Sequence, residues 1–246
     1  WSSPQSFVTS QAAPLQISEI SATAPAIIDE DNPPFGTRIR SSSDKSFDGP
    51  SLVYDWVEIA GIGSNTGIAD DSRHDDETRS FDLPFPFTYY GETYERVSIC
   101  SNGWLAFGDT YIKLYRNWTL PADGSPDAMI CAFWDDLAGG TVYHWYDSAN
   151  HRYIVQWDAF GSYSGSYSGN CTFQIILYDP AYHSTDSGDG LIEVQYETVS
   201  IYADETTYFT VGIQNGDRTD GLTYVYGNDY RPGAATVAAL QADAIR

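Results

Sequence analysis

The chain has 246 residues, a formal net charge of −22 and a pI near 4.1, a balance that repels phosphate backbones and sets nucleic acid aside as a partner. Aromatic residues make up 15% of it and charged residues only 19%, which argues against a helical or disordered chain and for a strand-rich one. No apolar run is long enough to span a bilayer, so membrane insertion is not expected. The length suffices to bury a core without staples and holds one large all-β domain or two small ones. The acidity reads first as solubility and, more pointedly, as attraction for Ca2+, a hard cation that takes carboxylate oxygens.

Residues 1–50 are rich in Ser, Ala and Pro, with Pro4, Pro14, Pro25, Pro33, Pro34 and Pro50 as punctuation. Within them, 15–20 (LQISEI) and 26–28 (AII) are short apolar segments, and Leu15 and Ile17 fall on one strand face. Residues 1–34 read as a leader or as an extended arm whose Leu15, Ile17 and Ile20 add a strand to a sheet edge, in their own domain or a neighbour's. Residues 35–246 read as a single β-sandwich domain. The chain starts at Trp1 without an initiator Met and reads as a processed product or an excerpt of a longer chain.

Residues 52–59 (LVYDWVEI) predict a strand with Val53, Asp55 and Val57 on one face, and 60–78 predict a loop gathering Asp70, Asp71, Asp75, Asp76 and Glu77. In 80–87 (SFDLPFPF), Phe81, Leu83, Phe85 and Phe87 alternate and share a face. Pro84 and Pro86 cannot donate to a ladder, which marks an edge strand or a strand end. Asn102-Gly103 tolerates the positive φ of a tight turn and joins 94–101 to 104–107 as a buried hairpin. Residues 129–136 (MICAFWDD) form a buried strand that ends on Asp135 and Asp136. Residues 141–146 and 152–157 flank 147–150 as a second hairpin. Pairing Tyr146 with His151 puts Val142, His144, Tyr146, Tyr153 and Val155 on one face. Strands at 171–178, 191–199, 208–214 and 222–226 follow, and the Ala-rich tail 234–245 is expected to end in a closing strand. Short strands with turn residues between them predict an all-β fold, a two-layer antiparallel β-sandwich, jelly-roll-like, with an extended N-terminal arm.

The groups that make and break bonds are poorly arranged. The run 161–169 (GSYSGSYSG) places Tyr163 and Tyr167, not Ser, between its glycines, so it is no nucleophile elbow. His74, His144, His151 and His183 form no close ligand pair, and zinc is not expected. Cys100, Cys131 and Cys171 allow at most one disulfide, and Cys131 and Cys171 share strand parity with core residues. Asp135 and Asp136 are the best local candidates for a role. They either form a turn whose carboxylates accept loop N–H groups or one edge of a Ca2+ site, with Asp186, Asp189 and the 70–77 cluster as rivals. Tyr163, Tyr167 and Trp118 are candidates for an aromatic contact surface for glycans or a protein. Asn117 and Asn170 each open an Asn-glycosylation triplet.

The runs YGETYERVSICSNGWLAFG, LPADGSPDAMICAFWDDL, GGTVYHWYDSANHRYIVQWD, TFQIILYD, GDGLIEVQYETV and TVGIQNGDRTDGLTYVY, in this order and spacing, resemble a NIDO-like β-sandwich domain over roughly residues 35–246. The resemblance implies an all-β, non-catalytic module of large secreted bacterial proteins, often beside gingipain-like or subtilisin-like peptidase domains and C-terminal sorting domains. It does not extend to the leader 1–34. Asp147-Ser148-Ala149 resembles an O-glycosylation triplet of some bacteria that secrete such domains, with Ser148 as the acceptor. The expectation is an extracellular or cell-surface structural or adhesive module, not an enzyme, that self-associates by N-terminal strand exchange into a filament or surface layer. The alternative is a glycan- or protein-binding accessory domain of a larger secreted enzyme.

Overall fold

A computed structural model describes residues 13–18, 38–41, 55–68, 75–163, 168–185, 187–200, 209–227 and 243–245. Among these residues there are fifteen strands and no helix. In chain order they are β1 (Ala13–Ser18), β2 (Arg38–Ser41), β3 (Ser64–Asn65), β4 (Thr78–Tyr89), β5 (Glu92–Cys100), β6 (Trp104–Phe107), β7 (Met129–Trp134) and β8 (Leu137–Ala138). They continue as β9 (Thr141–Asp147), β10 (Arg152–Ser162), β11 (Ser168–Tyr178), β12 (Ile192–Ser200), β13 (Phe209–Gln214), β14 (Gly221–Gly227) and β15 (Asp243–Ile245).

The strands form two layers. One is a six-stranded antiparallel sheet in the order β14-β13-β7-β6-β5-β4. The other is a nine-stranded sheet in the order β2-β1-β15-β12-β11-β10-β9-β3, with β8 beside β10. The expected two-layer sandwich is present. Its neighbours are mostly consecutive in the chain, so the layers are built as meanders (β4 to β7, β9 to β12) and not by jelly-roll crossings.

Alternation in the sequence explains the interior. In β4, Leu83, Phe85, Phe87 and Tyr89 are buried while Asp82, Pro84 and Pro86 face out. The ladder to β5 slips between Asp82 and Phe87, so the two prolines occupy the irregular stretch of an edge strand. In the core, Phe133 stacks on Phe209 of the same six-stranded sheet at 4.7 Å, and Trp157 on Phe173 of the nine-stranded sheet at 5.2 Å. Polar tips in this core are satisfied across it. Trp157 Nε1 donates to Cys100 O at 2.8 Å, and Tyr89 Oη donates to Met129 O and Gln214 O at 3.0 Å each. Cys100, Cys131 and Cys171 are all buried and unpaired with one another.

Both outer faces are covered by irregular chain. Residues 108–128 lie over the six-stranded sheet, where Trp104 and Trp134 are fully buried and both donate their Nε1 hydrogens to Leu114 O, at 2.9 and 3.0 Å. Residues 55–59 lie over the nine-stranded sheet, where Ile59 packs with Ile154, Ile176 and Tyr178. The strand expected over 52–59 is absent from its described part. Residues 55–59 are held by side chains instead, with Ile59 N donating to Gln156 Oε1 and Gln174 Nε2 donating to Val57 O.

Two turns differ from expectation. The loop between β5 and β6 has three residues, Ser101 to Gly103, and only Gly103 has positive φ (75°). A Cβ at Gly103 would stand 1.9 Å from Phe133 O, so the position excludes any side chain. In the second hairpin Tyr146 pairs with Tyr153, not His151. The Asp147 carboxylate accepts from Asn150 N and Arg152 Nε at 3.2 and 2.9 Å, which closes a longer turn with His151 at φ 53°. The slip is two residues, so the inward face stays as expected, with Val142, Tyr153 and Val155 in the core.

Candidate functional site

The two aspartates that end β7 sit at one end of the sandwich, in a knot of three segments. Asn102, fully buried, is its centre. Its Oδ1 accepts from Leu137 N at 3.1 Å, its Nδ2 donates to Asp76 Oδ1 at 2.7 Å, and its carbonyl takes the N–H of Asp135 at 3.4 Å. Ser101 and Glu77 exchange two further bonds, and Tyr163 N donates to Asp136 O at 2.8 Å. Asp135 is 6% exposed, with Oδ1 accepting from Asp136 N at 2.8 Å and Oδ2 without a hydrogen-bond partner among the described residues.

Charge is crowded here. Burial, reinforced by Asp136, pushes the Asp135 carboxyl up to about 8. Burial and the neighbouring Asp76 and Asp75 push Asp136 up to about 6, against a smaller pull from Arg116. Asp76 is raised as well, chiefly by burial, despite its bond from Asn102. The geometry is that of a turn whose carboxylate accepts a loop N–H. Among the described residues no three His, Cys, Asp or Glu side chains gather closely enough to hold a metal ion. Asp189 lies apart, accepting from Gly91 N at 2.8 Å, and Asp186, Asp70 and Asp71 lie outside the described residues.

The aromatic candidates are dispersed over loops. Trp118 is about half exposed and stands edge-on to Tyr226, with ring centres 6.5 Å apart. Tyr163 is half exposed just past β10, and Tyr167 lies outside the described residues. A groove not foreseen in the sequence has a volume of about 370 Å³ and is lined by Tyr94, Phe107, Asp109, Ile112, Asp127 and Arg218. Arg218 pairs with Asp127 at 3.3 Å along it. Four separate chain segments build this groove, so no local pattern announces it.

Asn117 is buried and donates Nδ2 to Thr210 Oγ1 at 3.1 Å. Asn170 is exposed on β11, and Ser148 is exposed at the tip of the β9–β10 turn. The described histidines serve packing. His144 Nδ1 bonds Tyr153 Oη at 2.8 Å, His151 stacks on Tyr182 at 3.4 Å, and His183 Nε2 meets Asn150 O at 3.0 Å. His74 lies outside the described residues. Burial pushes the Cys100 thiol up to about 12 and Cys131 well above its ordinary range, which disfavours the thiolate form at both.

The N-terminal segment reaches the sheet. Leu15, Gln16 and Ile17 of β1 stand opposite Val194, Glu193 and Ile192 of β12, antiparallel. Ile20 lies outside the described residues. The same edge of β12 is also met by β15, through Val194–Ile245 and Gln195–Ala244.

No curated protein and no solved structure matches the chain. The family model described as NIDO related matches residues 54–243, from the cover segment over the nine-stranded sheet to β15, and the chain therefore belongs to the NIDO-related family.

Proposed function

We propose that this domain is a non-catalytic structural or adhesive module of a secreted bacterial surface protein, whose copies are joined by exchange of the N-terminal strand. The observation that carries the reading is the antiparallel register of β1 on the outer edge of β12. A strand outside the family-matched region, laid along a sheet strand in antiparallel register, is the ordinary means by which one sheet recruits another chain. Such pairing is head-to-tail, does not close on itself and propagates as a filament. Packing roles for the described histidines and buried thiols fit a non-catalytic part. The charge of −22 suits an extracellular surface and disfavours nucleic acid. Gingipain-like or subtilisin-like neighbours, Ca2+ at Asp135 and Asp136, and sugars on Asn170 or Ser148 belong to the same reading. Removing residues 1–30 is expected to leave a folded monomer by circular dichroism and sedimentation. Continued assembly of that variant, seen by electron microscopy, refutes strand exchange.

The groove beside Tyr94 favours a second reading, a glycan- or protein-binding accessory domain. An aromatic wall beside paired charges is a common way to hold a polar ligand. Glycan-array binding that is lost in Tyr94→Ala and kept in Trp118→Ala would assign the ligand to this groove.

A further inference from the structure

Val194 has one neighbour too many. A residue in a sheet has two sides, and β11 fills one of them by pairing Ile175 with Val194. The remaining side is claimed twice, by Leu15 of β1 running antiparallel and by Ile245 of β15, also antiparallel. Leu15 and Ile245 are in turn opposite each other in a parallel pair. Two segments from opposite ends of the chain thus converge on one slot, each placing a residue opposite Val194, and the hydrogen-bonding groups on that edge suffice for one.

Resting on the strand-exchange reading, we infer that the edge of β12 at Ile192–Gln195 is the acceptor for residues 13–18 of a second copy of this chain, and that β15 is the plug that closes this edge until the arm arrives. The lengths favour the arm. It has six residues and three register pairs on β12, against three residues and two pairs for β15. Three residues make a marginal strand. The parallel pairing of β1 with β15 gives the displaced plug a place on the arm's far side, so the exchange keeps both strands in a sheet. Reach is adequate for a neighbour. The thirteen residues 42–54 join the β1–β2 pair to the domain and extend to about 45 Å. Exchange of this kind is inexpensive because the new contacts reproduce those that are lost.

Opposed residues in an antiparallel pair stand close enough for a disulfide, which makes the register testable. Gln16→Cys and Glu193→Cys are introduced in separate full-length chains, which are then mixed and oxidised. Ile17→Cys with Ile192→Cys serves as a second opposed pair in case the first disturbs folding, and the buried native thiols give little background. The expected result is a covalent heterodimer whose yield rises with concentration and which is absent when Glu197→Cys replaces Glu193→Cys. Deleting residues 243–246 is expected to speed the cross-link severalfold, and an unchanged rate overturns the plug. A double variant that closes only within one chain, independently of concentration, overturns the acceptor assignment. If deleting residues 1–18 abolishes assembly but neither pair cross-links, strand exchange stands and the β12 edge is wrong. If that deletion leaves assembly intact, both fall.

Discussion

Asp135→Asn isolates the crowded carboxylates at the end of β7. Asp135 is buried with one oxygen unpartnered, and its folded-state value near 8 lies far above the ordinary 3.8. Between those limits the folded protein holds a proton that the unfolded chain has released. The stability from this group is therefore complete below pH 4 and is lost as pH rises toward and through about 8. The slope is about 1.4 kcal/mol per pH unit where the two states differ by one proton. Asp136, raised to about 6, adds to the loss in the same sense between about 4 and 6. Asparagine keeps an oxygen for the Asp136 N–H and cannot ionise. Relative to the parent, the variant should gain about 2 kcal/mol between pH 6 and pH 8, or roughly 4–8 °C in Tm for a domain of this size. Urea denaturation at pH 5, 6, 7 and 8 with a chelator present measures this directly. Parallel curves for parent and variant would refute the buried, proton-holding carboxyl. Repeating the series with excess Ca2+ tests the cation. A bound ion holds Asp135 ionised, so the parent's slope should flatten and its Tm rise, while the variant stays unmoved. An unchanged parent removes Ca2+ from this site.

Three further substitutions probe the frame. Gly103→Ala must place a Cβ 1.9 Å from Phe133 O at φ 75°, and should cost more than about 3 kcal/mol in denaturant titration. Arg152→Ala removes the cation that meets the Asp147 carboxylate at 2.9 Å, with both side chains nearly buried, and leaves that charge to the Asn150 donors alone. A loss of about 3 kcal/mol is expected, and Arg152→Ala with Asp147→Ala together should recover part of it. Trp157→Phe keeps the stacking on Phe173 but leaves Cys100 O without its donor, and should cost about 1–3 kcal/mol by the same assay.

What the sequence discloses is periodic. Phe81 to Phe87, Cys171 to Leu177 and Phe209 to Ile213 alternate, and alternation is a direct imprint of one buried sheet face. Pro84 and Pro86 mark an edge because a missing N–H is legible in one dimension. The closing strand anticipated at the end of the chain appears as β15. The covers over the outer faces escape such reading. Trp104 and Trp134 point away from the inter-sheet core, and it takes the irregular run 108–128 to bury them. A segment without regular structure carries no period to detect. The β9–β10 register slipped for a related reason. The turn is set by the Asp147 side chain gripping Asn150 and Arg152, a local hydrogen-bond choice that strand propensity does not encode. Asp135 and Asp136 illustrate the limit at a site. A carboxylate that caps a turn and one that binds a cation have the same sequence signature, and only burial and partners separate them.

The covers also bear on where a partner can attach. A sandwich offers faces, loop ends and edges. Here each outer face is at least partly spoken for, one by residues 108–128 and the other by residues 55–59, with buried Trp, Ile and Gln side chains beneath them. Of the edges, β4 is blunted by its prolines and irregular ladder, and β9 carries the two-residue β3 over Tyr143 and His144. The β12 edge is different. It is flanked by buried Ile192, Val194 and Tyr196, and it alone among the described strands has two candidate partners in one slot. Under the strand-exchange proposal this edge, with its fixed register, is a two-state element that a second chain would bias by supplying the longer strand.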